Sequence, residues 1–311
     1  MKNPTLSSSD LVADRRAGYA RMYAEAGDFA AAAELMRQTL EERSEWAAGW
    51  FSLGLYEEKA GNIEAACAAF SRTLTLAPED IFGAELKLAA HGRAATPILQ
   101  VTAYVERLFD DYAERFDEAL VQKLHYSLPE ALAEMILASG RSSFAHAIDL
   151  GCGTGLMGER LRKAVTLLEG FDLSQGMLAK ARAKGIYDRL ERADLADERP
   201  WAVSANADLI VAADVFNYLG DLTPAFRRAG ALSVAGGLFA FSVEANQDPD
   251  EVALRPSLRF AHGESYMRHR LAEAGFAVIE TRCLTLRRDA GEPVAGVIFL
   301  ARRQPGAGRD D

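Results

Sequence analysis

Cysteine is scarce in this chain of 311 residues: Cys67, Cys152 and Cys283 are far apart and odd in number. A disulfide framework is thereby excluded, and without CxxC or other zinc spacing so is a structural zinc site. The three read as free thiols in a reducing compartment. No stretch of about eighteen residues is wholly apolar, as a membrane-spanning helix requires. The opening MKNPTLSSSD also lacks the apolar centre of a secretory signal. A soluble, cytoplasmic protein is therefore expected. Positive charge is in deficit, with 35 Lys and Arg against 45 Asp and Glu, a formal net charge of −10. This disfavours non-specific binding to nucleic acid, which needs concentrated cations. The acidic residues Asp110, Asp111, Glu114 and Asp117 belong to no EF-hand loop and read as the solvated face of a helix, so no metal is expected.

What is present is a strand, a glycine turn and a helix in immediate succession. In AHAIDLGCGTGLMG, from Ala145 to Gly158, the apolar Ala147, Ile148 and Leu150 suit a buried parallel strand. Gly151, Gly153 and Gly155 then let the backbone turn sharply and approach a ligand closely. Asp149, at the carboxyl end of that strand, suits a ligand carrying positive charge. Gly153, Gly155 and Gly158 also spell the GxGxxG of a dinucleotide fold. In that fold, however, the first glycine follows the strand directly, and here Asp149, Leu150, Gly151 and Cys152 intervene. The register argues against NAD. Beyond Gly151 strands and helices alternate, predicting a doubly wound parallel sheet. Asp172 ends the second strand, where a carboxylate can accept hydrogen bonds from both hydroxyls of a ribose.

The length suggests two domains. From about Asp14 to Asp80 the chain repeats itself at the spacing that separates Gly27 from Gly61: Ala20 aligns with Gly54, Ala32 with Ala66, Met36 with Phe70. Small residues facing large ones predict two helical hairpins, capped by a helix over Ile81 to Ala90. His91 to Gln100, with Gly92 and Pro97, is the expected linker. The apolar stripe Val101, Val105, Leu108, Phe109, Tyr112, Phe116 and Leu120 predicts an amphipathic helix after it.

The run DLGCGTG, with Asp149, Gly151, Cys152, Gly153 and Gly155, resembles motif I of class I S-adenosylmethionine-dependent methyltransferases. The resemblance extends over about Tyr104 to Arg302. It implies a Rossmann-like α/β sheet of seven strands with the last antiparallel, in a domain spanning 101–303. It further implies that LSQGML places Leu173, Ser174 and Met177 beside the adenosine, with Asp194 and Leu195 reading the adenine. Ala213 would offer its carbonyl to the methionine ammonium, while Asp214, Val215, Phe216 and Tyr218 face the methyl group and substrate. LFDDYAERFDEAL is similar to the family's lid helix, making Tyr112 and Phe116 cover the cofactor. After the fourth strand DVFNY stands in place of the Asn/Asp-Pro-Pro-Tyr/Phe quartet of many nucleic-acid and amide methyltransferases, which lowers the expectation of base or amide methylation. If a proton must be removed from the acceptor, His262, Tyr218 or Asp214 are the candidate bases, with His125 and Tyr126 further ones.

The stretch from Trp50 to Pro78 resembles a tetratricopeptide repeat, so residues 1–92 would form an all-α repeat domain. Such a domain offers a groove to a protein partner or serves as an appendage that packs or dimerises. The combination resembles a bacterial group of methyltransferases that carry these repeats. The expected function is methyl transfer from S-adenosylmethionine to an unidentified small molecule or protein. The alternatives are a non-catalytic cofactor-binding module that acts through its repeats, and an NAD-dependent oxidoreductase.

Overall fold

The short apolar run becomes β1 (Phe144–Leu150), parallel to β2 (Val165–Asp172) on one side and to β4 (Ala207–Ala212) on the other. The structure, a computed structural model, describes residues 6–97, 102–116, 127–197, 199, 201–289 and 291–306. Leu120, His125 and Tyr126, like part of the expected linker, lie outside them. The chain divides into two compact units, Met1–Pro97 and Ile98–Asp311.

In the second unit β1 is buried along most of its length because it is covered on both faces. Ile148 and Leu150 pack into one core with Phe226 of α10 (Thr223–Leu232) and Leu271 of α11 (Glu264–Glu273). On the opposite face Ala147 meets Leu132 of α7 (Leu128–Ala138) and Leu161 of α8 (Leu156–Leu161). The remaining α-helices among the described residues of this unit are α6 (Thr102–Tyr112) and α9 (Gln175–Lys184). The short β3 (Arg189–Arg192) flanks β2, and β5 (Ser233–Ala245) flanks β4. Next comes β9 (Glu292–Arg303), antiparallel to β5, with β8 (Phe276–Asp289) beyond it. This is the expected antiparallel last strand.

Among the described residues the sheet nevertheless has nine strands, not seven. β4 stops opposite Phe241, so on that side the last residues of β5 have backbone groups without a partner in β4. Buried backbone groups must be paired. The three-residue β7 (Phe260–His262) supplies partners to Glu244 and Ala245, and β6 (Val252–Leu254) pairs with β7.

The first unit consists of α1 (Leu11–Glu25), α2 (Phe29–Glu42), α3 (Ala47–Lys59), α4 (Ile63–Leu76) and α5 (Ala84–Ala90). Its aligned positions do equivalent work: Ala20, Ala32, Met36, Ala66 and Phe70 are fully buried, and a Cβ at Gly54 would lie 2.4 Å from the Phe70 ring. Gly27 and Gly61 turn the chain after α1 and α3 at φ 84° and 85°, a left-handed conformation that glycine adopts without cost. α5 starts later than the expected Ile81, because Asp80 accepts hydrogen bonds from the amides of Ala84 (2.8 Å) and Glu85 (3.0 Å) and so fixes where the helix begins.

Candidate active site

Two carboxylates at the ends of neighbouring strands organise the site. The amides of Gly151 and Cys152 both donate to the carbonyl of Phe171, at 2.7 and 3.0 Å, drawing the turn after β1 onto the end of β2. Gly151 stands at φ 67°, and a Cβ there would come within 2.6 Å of Val215. Asp172 then joins the two turns, one oxygen accepting from the amide of Gly153 (2.8 Å) and the other from that of Ser174 (2.8 Å). Asp149 is buried and takes the hydroxyl of Tyr187 on Oδ2 at 2.6 Å, whereas its Oδ1 has no partner among the described residues.

Burial raises both carboxyls above the usual range, Asp149 to about 7, where the Tyr187 hydrogen bond opposes the shift and nearby Asp172 adds to it, and Asp172 to about 6. The thiol of Cys152 is likewise pushed up by burial and by the two carboxylates. A folded pKa above the unfolded one means stability that is complete below the unfolded carboxyl value, near 4, and is lost as pH rises through about 6 and 7. The ligand-free protein should therefore lose part of its resistance to urea between pH 5 and pH 8, and Asp149→Asn should flatten that slope. Identical slopes for wild type and variant would contradict the assignment.

A cavity of about 420 Å³ opens from these turns. Its near wall contains Asp149, Gly151, Cys152, Gly153, Asp172, Leu173, Met177 and Leu195. Tyr112 and Phe116 close one side, and Ala213, Asp214 and Tyr218 stand at the far end. These thirteen of the candidate residues thus share one space.

Four candidates lie elsewhere. Gly155 does not line the cavity; it makes room for a ring, since Cβ atoms at Gly155, Gly158 and Gly170 would come within 3.1, 2.4 and 2.9 Å of Tyr187. Ser174 is a helix cap, its hydroxyl accepting from the amide of Met177 (3.0 Å) and donating to Asp110. Asp110, exposed as expected, also takes the Gly176 amide at 3.0 Å at the start of α9. Asp194 closes its own turn through the amide of Ala196 (2.8 Å) and holds Thr102 (2.9 Å), leaving Ala193 and Leu195 on the cavity. His262 is buried on β7 with Nε2 donating to the Leu219 carbonyl at 2.9 Å; burial depresses its pKa to about 4, so it is neutral and turned away from the cavity.

The far end also contains charges that local pattern does not reveal. Asp214 has φ 60°, a conformation that costs a non-glycine residue free energy, and is held there by its amide donating to Ser242 Oγ (2.9 Å) and by an ion pair with Arg287. Arg287, 3% exposed, bonds Glu244 through its other terminal nitrogen. Arg259 reaches Asp289 (2.7 Å) and the Tyr218 hydroxyl (3.3 Å). Phe109 stacks edge-on to Tyr218 at 5.1 Å, so that α6 forms an aromatic wall. That wall is tied down by Glu106 to Arg192 and, just past the helix, Glu114 to Lys180, both at 2.6 Å. Among the described residues no group of side chains has the arrangement of a metal site, and no helix is long and apolar enough to cross a membrane.

Residues 148–239, which run from the end of β1 into β5, match a family model described as a methyltransferase domain. The chain is 35% identical over 120 residues to trans-aconitate 2-methyltransferase of Delftia acidovorans, covering 38% of this chain and 43% of that protein. It is 29% identical over 161 residues to the enzyme of the same name from Acidovorax ebreus, 51% of this chain and 60% of that one. The chain thus spans about half the length of the curated relatives it matches. Magnesium protoporphyrin IX methyltransferase from Synechocystis, solved with bound S-adenosylhomocysteine, superposes with a TM-score of 0.52 at 18% identity over 65% of this chain and 99% of that one. The second unit therefore has the mixed-sheet, Rossmann-like methyltransferase fold.

Proposed function

We propose that this protein is an S-adenosylmethionine-dependent methyltransferase whose cofactor lies in the cavity between the glycine turn and α6. The observation that carries this reading is the buried, unpartnered Oδ1 of Asp149 beside a glycine turn that Asp172 clamps from the next strand. A buried acceptor without a donor costs free energy unless a ligand supplies one. An ammonium or a hydroxyl of the cofactor suits it. When bound, the cofactor contributes a sulfonium that activates the methyl group and leaves as a neutral thioether. The protein's own part is then to align the acceptor and exclude water, and α6 with Phe109, Tyr112 and Phe116 is placed to do the second.

Of the candidate bases Asp214 is engaged by Arg287, and His262 does not reach the cavity. Among the described candidates Tyr218, which lines the cavity, is the group left to hold a proton of the acceptor. The first unit we read as tetratricopeptide repeats, on the support of the matching burial at aligned positions and the paired turns at Gly27 and Gly61.

S-adenosylmethionine and S-adenosylhomocysteine should raise the thermal midpoint, by an amount corresponding to about 2.7 kcal/mol at a ligand concentration a hundredfold above Kd, and NAD should not. Stabilisation by NAD alone would sink the reading. A labelled methyl group from the cofactor, offered to cell extract and followed into protein and small-molecule fractions, then identifies the acceptor; binding without transfer to any fraction would favour the non-catalytic module.

A further inference from the structure

We propose that Arg259 anchors a carboxylate of the methyl acceptor, so that the substrates of this protein are small organic acids. The proposal rests on the cofactor reading above, which assigns the glycine-turn end of the cavity to the cofactor and leaves the far end to the acceptor. Four charged side chains line that end, Asp214, Arg259, Arg287 and Asp289, with Glu244 buried behind them.

They are not equivalent. Arg287 is 3% exposed and spends one terminal nitrogen on Asp214 and the other on Glu244. Its charge is thus shared between two carboxylates inside the wall, and the three side chains together keep one net negative charge when both carboxylates are ionised. Arg259 is 23% exposed and uses Nε on the Tyr218 hydroxyl and Nη1 on Asp289, and its Nη2 makes no hydrogen bond among the described residues. A guanidinium carries its charge at every physiological pH and presents donors in a fork that fits a carboxylate with two parallel bonds.

The carboxylate bonded to it, Asp289, is 46% exposed at the end of β8, and Asp214 acts on it through space. Water already solvates the Asp289 carboxylate, so it holds Arg259 weakly and can give way to, or share it with, an incoming one. A cationic acceptor would meet Asp289 as the lining carboxylate at this end that Arg287 does not already hold. Between this anchor and the cofactor end stand Phe109, Val215 and Tyr218, which suit a short carbon skeleton.

The test uses the full chain at fixed ionic strength. Binding of S-adenosylhomocysteine is measured first by calorimetry. The loaded protein is then titrated with succinate, glutarate, fumarate and citrate, with succinamide and 1,4-diaminobutane as neutral and cationic counterparts. At least one of the acids should bind, at least tenfold more tightly than succinamide. Arg259→Gln should weaken that acid tenfold or more while leaving S-adenosylhomocysteine affinity unchanged, which also shows that the variant folds. Asp289→Asn should strengthen it severalfold by removing the competing carboxylate. The proposal is overturned if no acid binds the loaded protein, if the diamine binds better, if Arg259→Gln binds the acid as wild type does, or if Asp289→Asn weakens it. Failure of wild type to bind S-adenosylhomocysteine at all would instead strike the cofactor reading, and the acceptor assignment would fall with it.

Discussion

Replacement of Asp172 by alanine is expected to weaken S-adenosylhomocysteine binding by two orders of magnitude or more. The side chain has two tasks. It accepts the amides of Gly153 and Ser174 on separate oxygens, which keeps the turns after β1 and β2 at a fixed separation. It also lines the cavity where, on the cofactor reading, the ribose hydroxyls would donate to it. Hydrogen bonds to a charged acceptor contribute about 1.5–3 kcal/mol each, so loss of two corresponds to roughly two to four orders of magnitude in affinity. Asp172→Asn retains the shape and one accepting oxygen and should lose less. Calorimetry on both variants, with thermal unfolding of the ligand-free proteins as the control for folding, measures the effect. Wild-type affinity in the alanine variant would remove Asp172 from the site.

Arg287→Met should destabilise the fold by about 3–5 kcal/mol, because it strands two carboxylates that share its guanidinium in the wild type. Glu244 is 8% exposed and Asp214 16%, so water can reach neither freely. The further exchanges Glu244→Gln and Asp214→Asn should return a large part of the loss, since a neutral cluster needs no guanidinium. The urea midpoints of the single and triple variants test this. A single variant within about 1 kcal/mol of wild type would mean that the pair contributes little.

The part of this site that was legible beforehand is the part built from neighbours in the chain. A strand, an acidic residue and a glycine turn are local, and Asp149 and Asp172 end adjacent strands because one crossover separates them. Arg287 gives no such signal. In TLRRD it resembles any exposed pair of cations, and it reaches Asp214, 73 residues earlier, only because β8 lies beyond β5 in the sheet with β9 between them. Tyr187 had left a trace, since Gly155, Gly158 and Gly170 together clear a slot for one ring, but a glycine that admits a side chain and one that admits a ligand look alike in sequence. Ser174 and Asp194 lie off the cavity lining for a reason that is general: serine and aspartate beside a turn satisfy their own backbone first. His262 is a buried imidazole whose Nε2 bonds one carbonyl, while its Nδ1 has no partner among the described residues.

The position of β9 between β5 and β8 has a consequence for synthesis on the ribosome. When Ala245 has emerged, the parallel half of the sheet can already assemble, yet β5 still presents a bare edge of apolar strand. Nothing in the chain covers that edge until Arg303 follows, close to 60 residues later, or about 3–12 seconds at ordinary rates of elongation. For that interval the nascent domain would offer an open strand template to any neighbour. Slow translation across the segment from β6 to β8 should therefore increase the demand for chaperones more than slow translation anywhere before β5.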